Sequence, residues 1–399
     1  MNTQLKTIFV FLFLVCTLRG TAQNFSIDYP SYQNRNSDAL EISRIVRNDT
    51  ATILYMDAYS RPNYWIRLAS GLSLHGNQTG KNYPIIRSQG FELDKEVYMP
   101  ASGNVTFSLQ FAPLAPQEKM IDFIEGANKG DFQIKSISLN EQEKKGKIHC
   151  HISGKVIDSP QSSRLVLMKA HKNPSSSPWL SIPIRNGEFQ YDFYADHEEV
   201  YEVFIWNDML TGSWLPSLFF AENGPVSFTL YPASTRKPGL VSTSNPLTCE
   251  LQQLESERKA KFNFDSLYAQ MNKLYEENRF ESEALQTLWK KIEQVKDNNE
   301  ERNNIYRERD RLEESGEAYT EEGKALLAKI KQLNEEMNQW TIKHIKQNPS
   351  LPGLYVLTSK TEMARKGEDV TPFLNAYQET FASLYPEHPY GCLLYTSDA

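Results

Sequence analysis

The sequence predicts an α+β multidomain chain: two β-sandwich-like modules followed by an antiparallel helical bundle. Three observations carry this. Up to about residue 232, apolar and polar positions alternate with period two, and turn residues interrupt them at roughly the 8–12-residue spacing of a sandwich. Beyond about residue 247 the apolar period becomes ~3.6, as on a helix face. The 399 residues include 20 Tyr, 20 Phe and 6 Trp with only 23% charged residues, a folded composition with enough chain for two or three cores.

The elements follow in order. Lys6 precedes a short apolar run, 8–16, and small residues follow at Gly20, Thr21 and Ala22. That pattern predicts a secretory signal peptide over 1–22, cut after Ala22. Cys16 lacks the small preceding residue that a lipid anchor needs. Residues 24–139 form the first module, with strands expected at 39–45, 52–58, 64–68 and 104–111. A Lys-rich bridge leads to the second module, 146–232, with strands expected at 148–156, 163–170, 179–184, 188–194, 199–206 and 226–231. Within it, Asn186-Gly187 supplies the positive φ angles of a tight hairpin turn. Residues 233–246, rich in Ser, Thr and Pro, read as a linker.

The helical hairpin or bundle is expected over 247–347. Leu267, Met271 and Leu274 share one face, Leu285, Leu288, Ile292 and Val295 another, and Leu326, Ile330, Leu333, Met337 and Trp340 a third. Breaks are expected near Asn298-Asn299 and Ser315-Gly316. A short helical segment and exit occupy 348–390, and 391–399 reads as an artefactual tail. No stretch after the leader approaches the ~18 apolar residues of a membrane span.

A formal charge of −7 gives no basic footprint for nucleic acid. Beyond the leader the cysteines are Cys150, Cys249 and Cys392, and none forms the C-x-x-C of a dithiol enzyme. Cys150 and Cys249 flank the second module and are a candidate disulfide if the chain is exported; unpaired thiols are the other reading. His149-Cys150-His151 is not a metal site on this reading: a strand sends the two His one way and Cys the other, and no further ligand lies near in sequence. Acid pairs such as Glu198-Glu199 fall where solvated faces are expected, and G-x-S-x-G, H-E-x-x-H and phosphate-binding glycine loops are absent from the sequence. No catalytic residue and no cofactor is therefore expected. Tyr64 and Trp65 in one aromatic cluster, and Trp206 and Trp214 in another, are candidate ligand contacts, with core packing as the alternative.

The arrangement resembles exported TlpA/ResA-like thiol-disulfide oxidoreductases of Gram-negative bacteria that carry an uncharacterised β domain before the thioredoxin. The resemblance rests on residues 58–67 (AYSRPNYWIR), 93–100 (LDKEVYMP), 111–116 (FAPLAP) with 121–126 (IDFIEG), 154–157 (GKVI), and the Tyr385-Pro-Glu-His-Pro389 exit. It implies a thioredoxin domain after that exit, yet nine residues follow Tyr390, so the chain reads as truncated and inactive by itself. The expectation is a non-catalytic scaffold and recognition portion, located in the periplasm or envelope, whose partners are a client protein or its own thioredoxin domain. The alternative is a free-standing periplasmic or surface module that binds protein or glycan.

Overall fold

The computed structural model describes residues 25–128, 130–140, 146–159, 162–174, 177, 179–295, 298–364 and 368–391. The expected leader, Cys16, Cys392, residues 141–145 of the bridge and all but the first residue of the 391–399 tail lie outside them. The chain is α+β, with strands up to Thr243 and the long helices from Pro246 onward. No described helix is long and apolar enough to cross a membrane.

The first unit contains β1 (Phe25–Asp28), β2 (Asn34–Arg35), β3 (Leu40–Arg47), β4 (Thr52–Tyr59), β5 (Trp65–Ile66), β6 (Ser73–Gly76), β7 (Asn82–Gln89), β8 (Val97–Tyr98), β9 (Asn104–Phe111), β10 (Met120–Ile124) and β11 (Gln133–Ser138). β5 and β8 pair as a small ribbon, and the other nine form one antiparallel sheet in the order β1-β3-β4-β9-β7-β6-β10-β11-β2. Alternation decides the buried face. Phe107, Leu109 and Phe111 of β9 point inward opposite Met56, Leu54 and Thr52 of β4. A single core joins Ile45, Leu54 and Leu109 from one half of this sheet to Leu74, Ile121, Phe123 and Ile137 from the other.

The unit therefore differs from the expected pair of stacked sheets: one sheet curls over its own apolar face. β7 makes the bend. Its residues 82–84 pair with β6 and residues 85–89 pair with β9, with a register shift between Ile85 and Arg87. A bulge at such a point raises local twist and lets one strand serve both halves.

The second unit contains β12 (Ile148–Val156), β13 (Arg164–Lys169), β14 (Leu180–Pro183), β15 (Glu188–Ala195), β16 (Val200–Ile205), a short helix α1 (Trp206–Leu210), β17 (Ser217–Phe220), β18 (Gly224–Leu230) and β19 (Leu240–Thr243). Two four-stranded sheets, β15-β12-β18-β19 and β14-β13-β16-β17, share a core that includes Ile152, Phe193 and Val226 from one and Leu165, Val203 and Phe219 from the other. β12 and β18, its first and next-to-last strands, pair in parallel. Asn186 (φ 53°) and Gly187 (φ 76°) make the turn the sequence predicts, but β14 and β15 then part into different sheets. The expected linker 233–246 holds a 3-10 turn, Ala233–Thr235, and strand β19, which pairs with β18. Its polar composition hid the strand, because ladder bonds use backbone groups and need no apolar side chain.

Among the described residues seven further α-helices follow, α2 (Pro246–Lys261), α3 (Asp265–Glu276), α4 (Glu283–Gln294), α5 (Asn299–Ser315), α6 (Glu321–Gln347), α7 (Leu351–Glu362) and α8 (Thr371–Ala376), the last running into a π-helical turn, Tyr377–Phe381. Their ends are chemically marked. Ser282, Asn298, Thr320 and Ser350 each accept a first-turn N–H, and Gly316 closes α5 in the left-handed region.

The helices serve two regions. α7, the end of α6 and the buried face of α2 pack on Ala170, Val200 and Phe220 of the second unit. There the Glu222 carboxylate accepts from the N–H groups of Leu247 and Thr248 at 3.0 Å each, clamping the start of α2 where the helix dipole favours an anion. The Val200 N–H likewise donates to the Tyr390 hydroxyl at 2.5 Å. At the far end, α4 and α5 close a small core of Leu285, Leu288, Ile305 and Ala318. α3 lies beside α6 with no buried residue of its own.

Candidate binding cleft between the two β units

The two β units are joined by a cluster of charges and rings. Arg164 opens β13 with its side chain 1% exposed. Its guanidinium lies 4.2 Å from the Trp206 ring centre, 4.4 Å from Tyr59 and 5.3 Å from Trp179. It donates to the Asp38 carbonyl at 2.8 Å and to the Asp38 carboxylate at 3.2 Å, both on the other unit. Arg35 pairs with Glu41, and its guanidinium lies 4.9 Å from the Trp179 ring centre. Burial pushes the Glu41 carboxyl up, against the pull of Arg35 and Arg164. A second tie runs from Arg185, at the β14–β15 turn, to the buried Asp57 carboxylate at 2.8 Å and to Thr106 at 3.0 Å. Planar guanidinium groups suit this place, since they stack on rings and bond carboxylates at once.

Beside the joint the units leave a cleft of about 1510 Å³. Seven tyrosines and Trp179 line it, among them Tyr29, Tyr32 and Tyr55 from the first unit and Tyr191 and Tyr201 from the second. Tyr29 and Tyr191 meet across it with ring centres 4.2 Å apart. Five carboxylates and five Lys or Arg side chains also line it, so it carries no net charge from these groups. They are paired locally: Asp28 with Arg44 at 2.5 Å, Asp57 with Arg185, and Asp192 with His149 at 2.8 Å and His151 at 3.1 Å. At Asp192 burial works against the charge, but hydrogen bonds from His151 and His149 outweigh it and hold the carboxyl below its ordinary range.

Three sheet ends converge on this cleft. β1 is the edge of the nine-stranded sheet, and β15 and β14 are edges of the two smaller sheets. Ladder phase says which backbone groups face outward. Tyr29 N–H bonds Ser43, so residues 25, 27 and 29 face β3 while Ser26 and Asp28 face away. His149 N–H bonds Asn223, so the odd residues of β12 face β18 and its even residues face β15. Phe189, Tyr191 and Phe193 of β15 meet those even residues, and the main chain of Gln190 and Asp192 points outward with no strand beside it among the described residues.

The aromatic residues expected at a site lie elsewhere. Tyr64 (59% exposed) precedes the β5–β8 ribbon, on which Trp65 (49%) and Tyr98 (58%) stand opposite each other, and none of the three lines the cleft. Trp206 packs on Arg164, and Trp214 stacks on Phe204 at 5.6 Å. These two belong to packing around the joint. Cys150 and Cys249 are both free thiols, so the candidate disulfide is not formed. Strand alternation turns Cys150 into the core, whereas Cys249 sits exposed on α2 with its thiol toward the Thr243 carbonyl. Burial pushes the Cys150 thiol up to about 12, far from a reactive thiolate. His149 and His151 share a face as strand geometry requires, and their partner is Asp192 on the neighbouring strand, 41 residues from His151 in sequence. The cleft residues gave no such signal, since Tyr29, Trp179 and Tyr191 stand in unrelated strands and loops.

No protein-family model matches the chain, and no curated protein does. Among solved structures it is weakly similar to type I pullulanase from Bacillus subtilis complexed with maltose, with 10% identity over 42% of this chain and 23% of that one. It is also weakly similar to the Bacillus anthracis TIE protein, with 8% identity over 53% of this chain and 40% of that one. Both have a TM-score of 0.13, and this chain spans less than half the length of either.

Proposed function

We propose that this chain is the recognition and scaffold portion of an exported, envelope-located thiol-disulfide oxidoreductase of the TlpA/ResA-like kind, and that the cleft between its β units receives the client protein. Finer expectations join this reading: the β modules present the client, and an antiparallel helical bundle sets the spacing to a thioredoxin domain. The observation that supports it best is the tyrosine-lined, charge-balanced cleft fixed by the Arg164 joint. Tyr offers large contact area with a polar tip and little entropy to lose, which suits recognition of varied polypeptides. The raised Cys150 thiol fits a part that positions a client and leaves exchange to another domain.

A second reading has its own observation. The exposed Trp65–Tyr98 pair, with Tyr64 also exposed beside it in sequence, fits a free-standing surface module that stacks on glycan or protein. Fluorescence anisotropy with labelled, reduced and carboxymethylated α-lactalbumin separates the two. Binding of this unfolded probe, weakened about tenfold by Tyr55→Ala in the cleft and untouched by Trp65→Ala, is the expected result. Binding lost only with Trp65→Ala, or binding of maltoheptaose in place of the probe, favours the second reading. Export is checked by mass spectrometry of envelope fractions: a mature N-terminus near Gln23 is expected, and an intact Met1 overturns it.

A further inference from the structure

We infer that the occupant of the cleft is an extended polypeptide segment that adds as a strand along β15, with β1 on the opposite wall; this rests on the cleft being the recognition surface.

The reason lies in the backbone. Unpaired N–H and C=O groups of an edge strand form a template for another extended chain, and folded proteins usually cover, twist or charge such edges. Here Gln190 and Asp192 on β15, and Ser26 and Asp28 on β1, turn their main-chain groups away from their own sheets along one cleft. β15 is eight residues long and paired along its whole length to β12, so it is held straight as a template. Strand addition of this kind draws affinity from main-chain bonds and selectivity from alternate side chains.

The lining sets the chemistry of that segment. With five charges of each sign already paired inside the protein, the cleft offers no field that selects a phosphate or a strongly charged chain. An added strand sends alternate side chains to two faces. One face lies over Gln190, Asp192 and His151 and takes polar residues; the other lies toward Tyr29 and Tyr191 and takes aromatic or aliphatic ones. The occupant is thus an uncharged, alternating, unfolded segment. A glycan has donor and acceptor hydroxyls but not the strand-spaced row of N–H and C=O groups that matches such edges.

The test uses the full chain with the same carboxymethylated α-lactalbumin probe. Proline is tolerated at an edge where the lost N–H faces solvent. Gln190→Pro is therefore expected to weaken probe binding at least tenfold while leaving the denaturation midpoint in place, and Gln190→Ala, which keeps the amide and loses only the polar side chain, to weaken it less than about threefold. Hydrogen exchange of the unsubstituted protein gives a second reading free of folding effects, with the amides of Gln190 and Asp192 slowed at least tenfold by saturating probe. If the probe binds and Tyr55→Ala weakens it, yet these amides exchange unchanged and Gln190→Pro binds normally, strand addition is overturned and the cleft reading stands. If the native chain does not bind the probe, both fall.

Discussion

The joint between the β units and the outer helices α3 to α5 are built in opposite ways. At the joint, Arg164 is enclosed by three rings and tied to Asp38 on the other unit, and Arg185 reaches the buried Asp57. In the outer helices, α5 buries only Ile305, α3 buries no residue, and the shared core with α4 has four members. Charged side chains there pair mainly in solvent, as Arg311 does with Glu308 at 3.0 Å, and such pairs add little. The contrast teaches where rigidity sits. Orientation of the two β units depends on a few desolvated contacts that have no local substitute, whereas the outer helices rest on capping and a thin apolar stripe and should open first.

The sharpest way to break this contrast is Arg164→Ala. It empties the space between Tyr59, Trp179 and Trp206 and removes the partner of Asp38, a loss of about 3–5 kcal/mol. Urea unfolding followed by tryptophan fluorescence reads it directly, because Trp179 and Trp206 flank the site. A loss under ~1 kcal/mol means that the joint is not the organising contact.

Leu285→Ala is the counterpart in the outer helices. About 2–3 kcal/mol of local stability should vanish from α4 and α5. Hydrogen exchange is expected to quicken there while β13 and β16 keep their protection. Equal acceleration in both regions contradicts separate opening.

Glu222→Ala examines the seam between the second β unit and α2. The carboxylate accepts three hydrogen bonds, from Leu247 N–H, Thr248 N–H and the Thr248 hydroxyl, so about 2 kcal/mol should be lost. Exchange in the first turn of α2 is the readout, and an unchanged rate there rules out the clamp.

The smallest effect concerns pH. Burial pushes Glu202 up to about 7, opposed by the His171 N–H that bonds its carboxylate. A carboxyl raised in the folded state gives its full relative stability below the unfolded value of ~4.3. That contribution falls as pH climbs toward 7 and is flat above. Glu202→Gln should remove this dependence and leave the variant more stable at pH 8 by about 1 kcal/mol, the buried Gln amide giving back part of the gain. A variant with the native slope between pH 5 and pH 7 assigns the titration to another group.

Much of the fold was legible because it is local. Strands β9 and β12 match the stretches 104–111 and 148–156, and helix breaks fall at Asn298 and Gly316, where breaks are expected from the sequence; the structure shows a side-chain cap at the first and a left-handed stop at the second. Other strands were not. β7 carries Pro84 and a bulge, and β19 lies inside a stretch whose Ser, Thr and Pro content reads as linker; the short helical segment expected over 348–390 holds α7, but its burial along residues 351–358 was not signalled. The aromatic clusters left two readings open for a related reason: a ring pair close in sequence says nothing about which surface it meets. Trp206 found Arg164, and Tyr64 found solvent.

The sequence by itself determined the change from strands to helices near Pro246, the turn at Asn186-Gly187 and the polar caps that start α4 to α7. These depend on side-chain period and on conformations that one or two residues prefer. Only the tertiary structure decided that Asp38 would meet Arg164 across 126 residues, that Tyr29 would meet Tyr191, and that the edges of β1 and β15 would share one cleft. The physical reason is that the open face of a strand is a property of its backbone and of the neighbours it lacks, and every residue carries the same N–H and C=O until the sheets are assembled.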